Sequence, residues 1–534
     1  MPGTLGLVQR PAPTGELILA WAAGAVGVIG VVSALTPELA NRFDFVRGVL
    51  PPGVPSAARV AALAFGLALV WLARSLARRR RRAWQLSLAL VFGISVAHLA
   101  KGLDVEEALM GAALLFALIR YRRRFDVPGD SQTRPLVITA LALAALGAST
   151  LVLELRGFEH DRLEDLLVAL TAVLAFRAFY LWLRPLSHRV RQSAEERRTV
   201  RRLVRDYGDD SLAFFSLRKD KTYFFSPSRR SFLAYRVVAG CALVSGDPVG
   251  VRQELGPLLA EFRRVCHARG WRLALLSVRS DLLPIVHSLG LHSIKIGDEA
   301  VVRPATFRLE GRAIRKVRES VMRLERAGYR FRVVPTGDVD APLREQLVDV
   351  SDVWRGASAE RGFSMAMDDF FGEHETLFAV AERGDEVGGF LHLVPSLNGF
   401  SLGAMRRRPT TPNGLMEFLI ASLLVWARER GTAEVSLNFC VFSDFLGDDA
   451  ESSPAAIFRR ILRVGDRIFQ LERLLVFSRK FGPEWRPRYL CFERLTDLPP
   501  VGLAYLRVES LLTPPGPWTG RSDAEGVLQG RLSD

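Results

Sequence analysis

The chain has 534 residues, 49% of them hydrophobic, and a formal net charge of +15. This excess of positive charge favours polyanionic partners, either anionic lipid or nucleic acid. The four cysteines stand singly, without a CxxC pair or zinc-ligand spacing, which argues against a metal site and fits reduced thiols in the cytoplasm.

Six hydrophobic stretches fill the first third of the chain. They lie at residues 17–35, 57–72, 84–99, 103–121, 135–153 and 166–183. A helix needs roughly 20 apolar residues to cross a bilayer, so most of these stretches are long enough. Six buried helices of a soluble protein are the alternative, which the short linkers disfavour. The pattern predicts an all-α membrane domain of six transmembrane helices at residues 1–185.

Arginine is distributed unevenly among the linkers of this region. The linkers after the second, fourth and sixth stretches carry arginine clusters, at residues 74–82, 120–124 and 184–191, whereas the others are near neutral or acidic. Because positive loops stay inside, both termini and the soluble part are predicted to be cytoplasmic, in a multi-pass protein of the cell membrane. The first stretch lacks a basic leader and a clear cleavage site, so no cleavable signal peptide is expected.

A mixed α/β pattern follows a basic connecting helix that is predicted at residues 186–206. Short β-rich runs, the first at residues 212–217, alternate with helical periodicity. The pattern divides into two α/β units, at residues 207–308 and 309–511, which together are large enough to bury a core. Residues 512–534 are rich in Pro, Gly, Ser and charge and are predicted to form a disordered tail.

Two segments of the soluble part are suited to binding anions. The first, VSGDPVG at residues 244–250, follows a strand, precedes a helix and contains Asp247. Its glycines and helix-start N–H groups can bind an anion, although a plain strand-to-helix turn explains the same residues. The second is a helix at residues 311–326 that contains Arg312, Arg315 and Arg318. Arginine suits phosphate oxygens, and the alternative is a solvated helix face.

A strand, a turn and a helix start make up the third segment, MRRRPTTPNGLMEF at residues 405–418. The strand contains Arg406 and Arg407, the turn contains Asn413, and Glu417 lies in the first turn of the helix. Glu417 is suited to hold an ammonium group or to act as a base, and the alternative is a helix-start carboxylate that the dipole favours. Asn438 ends the next predicted strand, a common position for site residues in α/β folds.

A basic loop with two prolines, KFGPEWRPRY at residues 480–489, contains the last two candidates, Lys480 and Arg488. The sequence has no GxSxG elbow, P-loop, GxGxxG fingerprint or HExxH motif, and its histidines form no recognisable triad. Catalysis by positioning and electrostatics is therefore favoured over an activated nucleophile, and no metal is expected.

Together these segments resemble the aminoacyl-phosphatidylglycerol synthases, the multiple peptide resistance factor family. The resemblance covers residues 205–510, mainly through AGCALVSGDPVG (239–250), MRRRPTTPNGLMEFLI (405–420) and FGPEWRPRYLCFE (481–493). It implies two tandem GNAT-like acyltransferase folds, and transfer of lysine or alanine from charged tRNA to phosphatidylglycerol. Such a product lowers the negative surface charge of the membrane and gives resistance to cationic peptides.

The resemblance also implies roles for the candidate residues. The catalytic group is Glu417, Asn438 and Arg488, and the substrate-binding group is Asp247, Arg312, Arg315, Arg318, Arg406, Arg407, Asn413 and Lys480. The arginines of the 311–326 helix would contact the tRNA backbone, and Glu417 would hold the aminoacyl ammonium or act as base. Arg488 and Asn438 would polarise the ester carbonyl or fix the lipid phosphate. No cofactor is expected, because an aminoacyl ester is already activated.

The chain departs from the family in two respects. Six spans are fewer than the long form carries, which leaves a flippase activity unsupported. Ser478, Arg479 and Lys480 stand where many members have Asn-Ala-Lys.

Two other functions stay open: an acyl-CoA-dependent N-acyltransferase anchored to the membrane, and a lipid transporter with a regulatory soluble domain. The sequence contains no good pyrophosphate-binding loop, which argues against the acyltransferase. The predicted spans have almost no polar residues at mid-depth, which leaves the transporter without an obvious substrate path.

Overall fold

The computed structural model of the chain describes residues 15–35, 54–102, 105–125, 127, 173, 190, 192–312, 314–356, 362–441 and 475–510. By its internal contacts the chain divides into two compact units. One consists of Met1–Ser187 with His267–Trp271, and the other of His188–Cys266 with Arg272–Asp534.

Four helices are described in the first unit. They are α1 (Gly15–Leu35), α2 (Val54–Leu76), α3 (Arg81–Gly102) and α4 (Val105–Arg120). Large apolar side chains point outward, with Trp21 74%, Phe92 61% and Phe116 72% exposed, as expected of helices that face lipid. Helices α1 and α2 approach closely at two glycines, because a Cβ on Gly27 would lie 2.7 Å from the carbonyl oxygen of Gly66.

The first four predicted spans therefore coincide with helices. Two helical segments of the described part are long and apolar enough to cross a membrane, Gly15–Leu35 and Arg81–Leu99, and Ala62–Leu76 is a shorter apolar helix. The fifth and sixth predicted spans lie outside the described residues, as does the predicted tail. The six-helix membrane domain thus stays a prediction.

The second unit is built on one twelve-stranded sheet. Its strands are β1 (Thr222–Phe225), β2 (Ser231–Val238), β3 (Cys241–Ser245), β4 (Val249–Gly250), β5 (Arg272–Arg279), β6 (His292–Val302), β7 (Arg330–Pro335), β8 (Leu377–Arg383), β9 (Glu386–Ser396), β10 (Gly399–Arg407), β11 (Glu434–Val441) and β12 (Glu484–Phe492). Its helices are α5 (Ala194–Tyr207), α6 (Arg252–Arg269), α7 (Leu283–Ser288), α8 (Arg315–Arg326), α9 (Ala341–Arg355), α10 (Leu415–Glu429) and α11 (Leu498–Val508). The α/β class of the soluble part is confirmed.

The sheet contains the same strand–helix–strand motif twice. Strands β3 and β5 run parallel on either side of α6 in sequence, and β10 and β11 run parallel on either side of α10. The strand order is β1-β2-β3-β5-β12-β6-β11-β10-β9-β8-β7, with β4 paired to β2. Strands β12 and β6 therefore interleave at the centre, each beside a strand of the other half. The boundaries at 207–308 and 309–511 stay a prediction.

Alternation along the strands separates the two faces of the sheet. On β6, Ala300 and Val302 belong to the core under α10, so Glu299, which precedes Ala300, points to the opposite face. On β9, Leu391 and Leu393 belong to the same α10 core. The predicted strand at residues 212–217 is wrong, because Ala213–Leu217 forms a buried 3-10 turn. A short run of apolar residues does not distinguish these two conformations by its periodicity.

Candidate active site

An ion pair at the start of α10 joins two of the predicted site residues. The Nζ of Lys480 donates to Oε1 of Glu417 at 2.7 Å, and the side chains are 35% and 17% exposed. Glu417 lies in the first turn of α10, where the helix dipole favours a carboxylate. Lys480 lies in a tight turn before β12, which backbone hydrogen bonds fix, including Lys480 N to Phe477 O at 3.2 Å. The Lys480 ammonium also lies 5.2 Å from the centre of the Phe477 ring.

Arginines surround the same helix start. The Nη2 of Arg323, on α8, donates to the carbonyl oxygen of Asn413 at 2.6 Å. Arg407, at the end of β10, donates to the carbonyl oxygens of Thr411 and Pro412 at 3.4 and 3.5 Å. Cations are unfavourable at a helix N-terminus, where the dipole is positive, unless an anion binds there. This end of α10 is therefore suited to a phosphate group.

The other predicted arginines lie apart from this helix start. Arg312 and Arg315 are exposed, and Arg315 lies 3.5 Å from Glu319 one helical turn away. Arg318 donates to the carbonyl oxygens of Leu309 and Gly311 at 3.1 and 3.2 Å and so fixes the segment before α8. These residues form an open cationic surface, consistent with the predicted contact with a polyanion.

Arg406 is buried in an aromatic sandwich. Its guanidinium lies 5.0 Å from the Trp354 ring centre and 4.8 Å from that of Phe370, and it donates to the hydroxyl of Ser351. Only 3% of the residue is exposed. Neighbouring residues on a strand point to opposite faces, so Arg406 turns away from the face on which Arg407 approaches α10. The structure does not bring Arg406 to the Glu417–Lys480 pair.

Arg488 lies at the centre of a second polar cluster. Its guanidinium is 1% exposed and donates to Glu299, to Asp210 at 2.7 Å, to Ser211 Oγ at 3.0 Å and to the carbonyl oxygen of Ser277 at 3.1 Å. Burial opposes the charge, but the carboxylates of Asp210 and Glu299 outweigh it and raise the pKa of Arg488. Every nitrogen of this guanidinium already has an acceptor, so it has little capacity left for a substrate carbonyl.

Asp247 belongs to this second cluster. Its carboxylate accepts from the backbone N of Arg279 at 3.2 Å and from Nε of Arg279 at 2.8 Å. Burial, together with the nearby charge of Asp210, raises the pKa of Asp247 to about 6. The structure thus places this predicted substrate-binding residue in a buried ionic network, with its side chain 4% exposed.

Asn438 forms a bulge in β11. Its φ of +73° is left-handed, and its Nδ2 donates to the carbonyl oxygens of Met365 and Leu402, both at 2.8 Å. Ser277 on β5, with a φ of +61°, is its counterpart in the other half. Both amide hydrogens of Asn438 are engaged, so the amide shapes the strand in this structure, and its catalytic role stays a prediction.

The three residues predicted as catalytic do not form one cluster. Glu417 lies on the α10 side of the sheet, whereas Arg488 contacts Glu299 on the opposite face. Among the described residues, no hydrogen bond or ion pair joins Glu417 to Arg488 or Asn438, and no group of three or more His, Cys, Asp or Glu is arranged to hold a metal ion. Three partners, Asp210, Arg279 and Glu299, are absent from the predicted site residues, whereas Arg323 lies in the basic helix that was predicted at residues 311–326 to bind phosphate. Glu299 ends the sequence Gly297-Asp298-Glu299, which is one of the segments that carry the family resemblance.

Comparison with known proteins identifies the family. The family described as "Phosphatidylglycerol lysyltransferase, C-terminal" matches residues 201–492, more than half of the chain. The chain belongs to this family. The resemblance predicted from the motifs is thereby confirmed, and the match includes both polar clusters, from Asp210 to Arg488.

Two curated relatives of this phosphatidylglycerol lysyltransferase family member are bifunctional lysylphosphatidylglycerol biosynthesis proteins LysX. The protein of Rhodococcus jostii RHA1 is 34% identical over 401 residues, which are 73% of this chain and 35% of that protein. The protein of Mycobacterium tuberculosis H37Rv is 36% identical over 331 residues, 60% of this chain and 28% of that protein. The chain thus spans about a third of the length of these relatives.

Two solved structures share the fold of the second unit. The C-terminal domain of a putative lysylphosphatidylglycerol synthetase from Agrobacterium fabrum is 25% identical with a TM-score of 0.53, covering 59% of this chain and 97% of that one. The structure of L-PGS from Bacillus licheniformis has the same TM-score and coverage at 24% identity. Each match covers nearly all of the solved chain but only 59% of this one.

Proposed function

We propose that the chain is a membrane-bound transferase that moves a lysyl or alanyl group from aminoacyl-tRNA to a hydroxyl of phosphatidylglycerol. The observation that carries the proposal is the family match over residues 201–492. The apolar helices of the first unit and the arginine-rich linkers support a multi-pass location in the cell membrane with the α/β unit in the cytoplasm. The product lowers the negative charge of the membrane surface and gives resistance to cationic peptides.

The repeated strand–helix–strand motif supports an origin of the sheet in two tandem GNAT-like halves. The reaction takes place in the second half, at the N-terminus of α10. Arg323 and Arg407 bind a phosphate there, either of the lipid or of the tRNA end, because their guanidiniums flank the helix N-terminus. The exposed Arg312 and Arg315 extend the cationic surface along the tRNA backbone.

The reaction needs a proton acceptor and a group that stabilises an oxyanion. The lipid hydroxyl attacks the ester carbonyl carbon, and Glu417 takes the hydroxyl proton. The negative charge that develops on the carbonyl oxygen is stabilised by the ammonium of Lys480, which Glu417 holds at 2.7 Å. The tetrahedral intermediate then breaks its bond to the tRNA ribose oxygen, which receives the proton. The donor ester is already activated, so the transfer proceeds without ATP.

Lipid analysis tests this proposal. Membranes from a host that lacks aminoacylated lipids, expressing the full chain, are expected to contain lysyl- or alanyl-phosphatidylglycerol by mass spectrometry. Glu417→Gln should lower product per folded enzyme by about 10²–10³-fold, as expected for loss of one transition-state contact. The matched control is Glu429→Gln, an exposed carboxylate at the other end of α10, which should leave the product unchanged. Near-normal product from Glu417→Gln would remove this residue from the mechanism, and absence of product from the wild type would contradict the function.

A further inference from the structure

The end of α4 has the surface expected at the level of lipid head groups. Phe116 and Ile119 are 72% and 50% exposed, as on a helix that contacts hydrocarbon. From Arg120 onward the exposed side chains change, because residues 120–124 are four arginines and Tyr121, all of them exposed. Lipid phosphates lie directly outside the hydrocarbon core of a bilayer, so this change places residues 120–124 at the depth of the phosphates.

A fixed turn holds these arginines together. The backbone N of Arg124 donates to the carbonyl oxygen of Tyr121 at 3.0 Å, and that of Phe125 donates to the carbonyl oxygen of Arg122 at 3.2 Å. Nε of Arg79, in the linker between α2 and α3, donates to the carbonyl oxygen of Arg124 at 2.9 Å. Two arginine-rich linkers that are both predicted to be cytoplasmic therefore meet at this turn.

The turn has a surplus of positive charge. Residues 120–126 contain four arginines and one aspartate. Within the described part of the chain these four arginines form no ion pair, and the neighbouring pair, at 3.8 Å, joins Arg79 to Glu16. The side chains of residues 120–124 line an open cavity of about 450 Å³, a volume typical of ligand sites. Cations this close together repel one another, so an anion that binds among them is stabilised.

Aromatic side chains accompany the arginines. The Tyr121 ring centre lies 5.7 Å from the guanidinium carbon of Arg120 and 5.2 Å from that of Arg124. Trp84, on α3, donates from Nε1 to the carbonyl oxygen of Leu118 at 2.8 Å, at the same end of α4. Tyrosine and tryptophan are enriched where a membrane protein crosses from hydrocarbon to water. The combination of cations with such residues favours the phosphate of a lipid over that of a nucleic acid.

We propose that residues 120–124 form a binding site for the phosphate of an anionic phospholipid. The guanidiniums bind the phosphate oxygens in forked pairs, and the exposed Phe116 and Ile119 contact the acyl chains. The site rests on the membrane location proposed above, but not on the transferase reaction. An arginine cluster that only sets topology needs charge alone, whereas a phosphate site needs the guanidinium geometry, so lysine substitutions separate the two.

Calorimetry on the full chain in a neutral detergent measures the binding of dioctanoyl phosphatidylglycerol. Arg122→Lys/Arg123→Lys keeps the charge of the turn and should weaken lipid binding at this site by about tenfold or more, as for lost hydrogen bonds between charged groups. The matched control is Arg198→Lys/Arg202→Lys, two exposed arginines of α5, which should leave the affinity unchanged. Lipid that binds at the start of α10 is common to all three proteins, so the difference between them reports on residues 120–124.

Two further ligands identify what the site binds. Dioctanoyl phosphatidylcholine has the same acyl chains and a zwitterionic head group, and glycerol phosphate has the anion without the chains. Both are expected to bind at least about tenfold more weakly than the anionic lipid. Equally tight binding of phosphatidylcholine would show that apolar contacts suffice, and equally tight binding of glycerol phosphate would show a site for a free anion. Either result would overturn the proposal.

The variants decide the remaining outcomes. Equal lipid affinities of the wild type and Arg122→Lys/Arg123→Lys would overturn the site and leave these arginines as a topology signal. If the double variant melts at a lower temperature than the wild type, Arg122→Lys alone provides the same readout and must weaken lipid binding. Recovery of the full chain in solution without detergent would refute the membrane location, whereas unchanged lipid binding in the variants would refute the site alone.

Discussion

A buried guanidinium whose nitrogens all donate to protein acceptors, such as that of Arg488, stabilises the fold. Arg488→Ala would leave Glu299 and Asp210 as unpaired charges in the interior. Removing one partner of a buried ion pair typically lowers the free energy of unfolding by about 3–5 kcal/mol, and we expect a loss of that size in denaturant unfolding. Arg486→Ala on the same strand is the control, because its side chain is 34% exposed, and it should cost about 1 kcal/mol or less. Similar unfolding free energies for the two variants would contradict this account of Arg488.

Lys221 provides a second test at the scale of one residue. It is fully buried, and its Nζ donates to the carbonyl oxygen of Phe215 and to Ser245 Oγ, both at 2.7 Å. Burial lowers the pKa of Lys221 to about 7. Between pH 7 and the ordinary lysine pKa of about 10.4, the unfolded chain therefore binds more protons than the folded one at this residue, and stability rises with pH.

Lys221→Met removes this titration. The unfolding free energy of the wild type, measured relative to Lys221→Met, is expected to increase from pH 7 towards pH 10 in urea unfolding series. Lys219→Met is the control, because the Lys219 side chain is 59% exposed and forms its ion pair at the surface. Parallel pH profiles for the wild type and Lys221→Met would show that burial does not lower the pKa of this lysine.

At the scale of a single element, the conformation of the turn that starts α10 requires a glycine. Gly414 caps the helix with a φ of +95°, and an added Cβ would lie 2.7 Å from Ser320 Oγ and 2.8 Å from Nη2 of Arg323. Gly414→Ala is expected to lower the unfolding free energy by more than the roughly 1 kcal/mol of backbone strain alone, and to reduce lipid product. Gly431→Ala is the control, because its φ is +67° and nothing lies within 4 Å of its Cβ position. Equal losses in the two variants would show that α8 does not pack against this turn.

The elements that carry the site were largely predictable. Helical periodicity predicted the helices that begin after Gly311 and Gly414, and the structure has them at Arg315–Arg326 and Leu415–Glu429. The pairing of Glu417 with Lys480 was not predictable, because the two residues are 63 positions apart and only the tertiary fold brings them together. Local sequence patterns indicate which face of a helix or strand is apolar, but they do not indicate which distant helix or strand packs against that face.

At the scale of the whole unit, the strand pairing at the centre of the sheet was also not predictable from local sequence patterns. Strand β12 pairs with β5 and β6, strands that precede it by about two hundred residues, and these contacts create the Arg488 cluster. The sequence favoured two separate α/β units in succession. In the structure β6 and β12 lie side by side at the centre of one sheet, so that Asp210, Glu299 and Arg488 meet although each comes from a different segment. An alternating apolar pattern is satisfied equally by either pairing, which is why sequence reasoning could not choose between them.

Orientation in the membrane is a property of the whole chain that its charges predict. Arginines lie between α2 and α3, where Arg79 and Arg80 stand, and after α4, at Arg122–Arg124. Positive linkers stay in the cytoplasm, so green fluorescent protein fused at residues 80, 123 or 195 should fluoresce, and alkaline phosphatase at the same positions should be inactive. Fusions in the acidic linkers, at residues 45 and 160, are the control and should give the reverse pattern. Active phosphatase at residue 195 would place the α/β unit outside the cell, away from any charged tRNA, and would contradict both the topology and the transferase reaction.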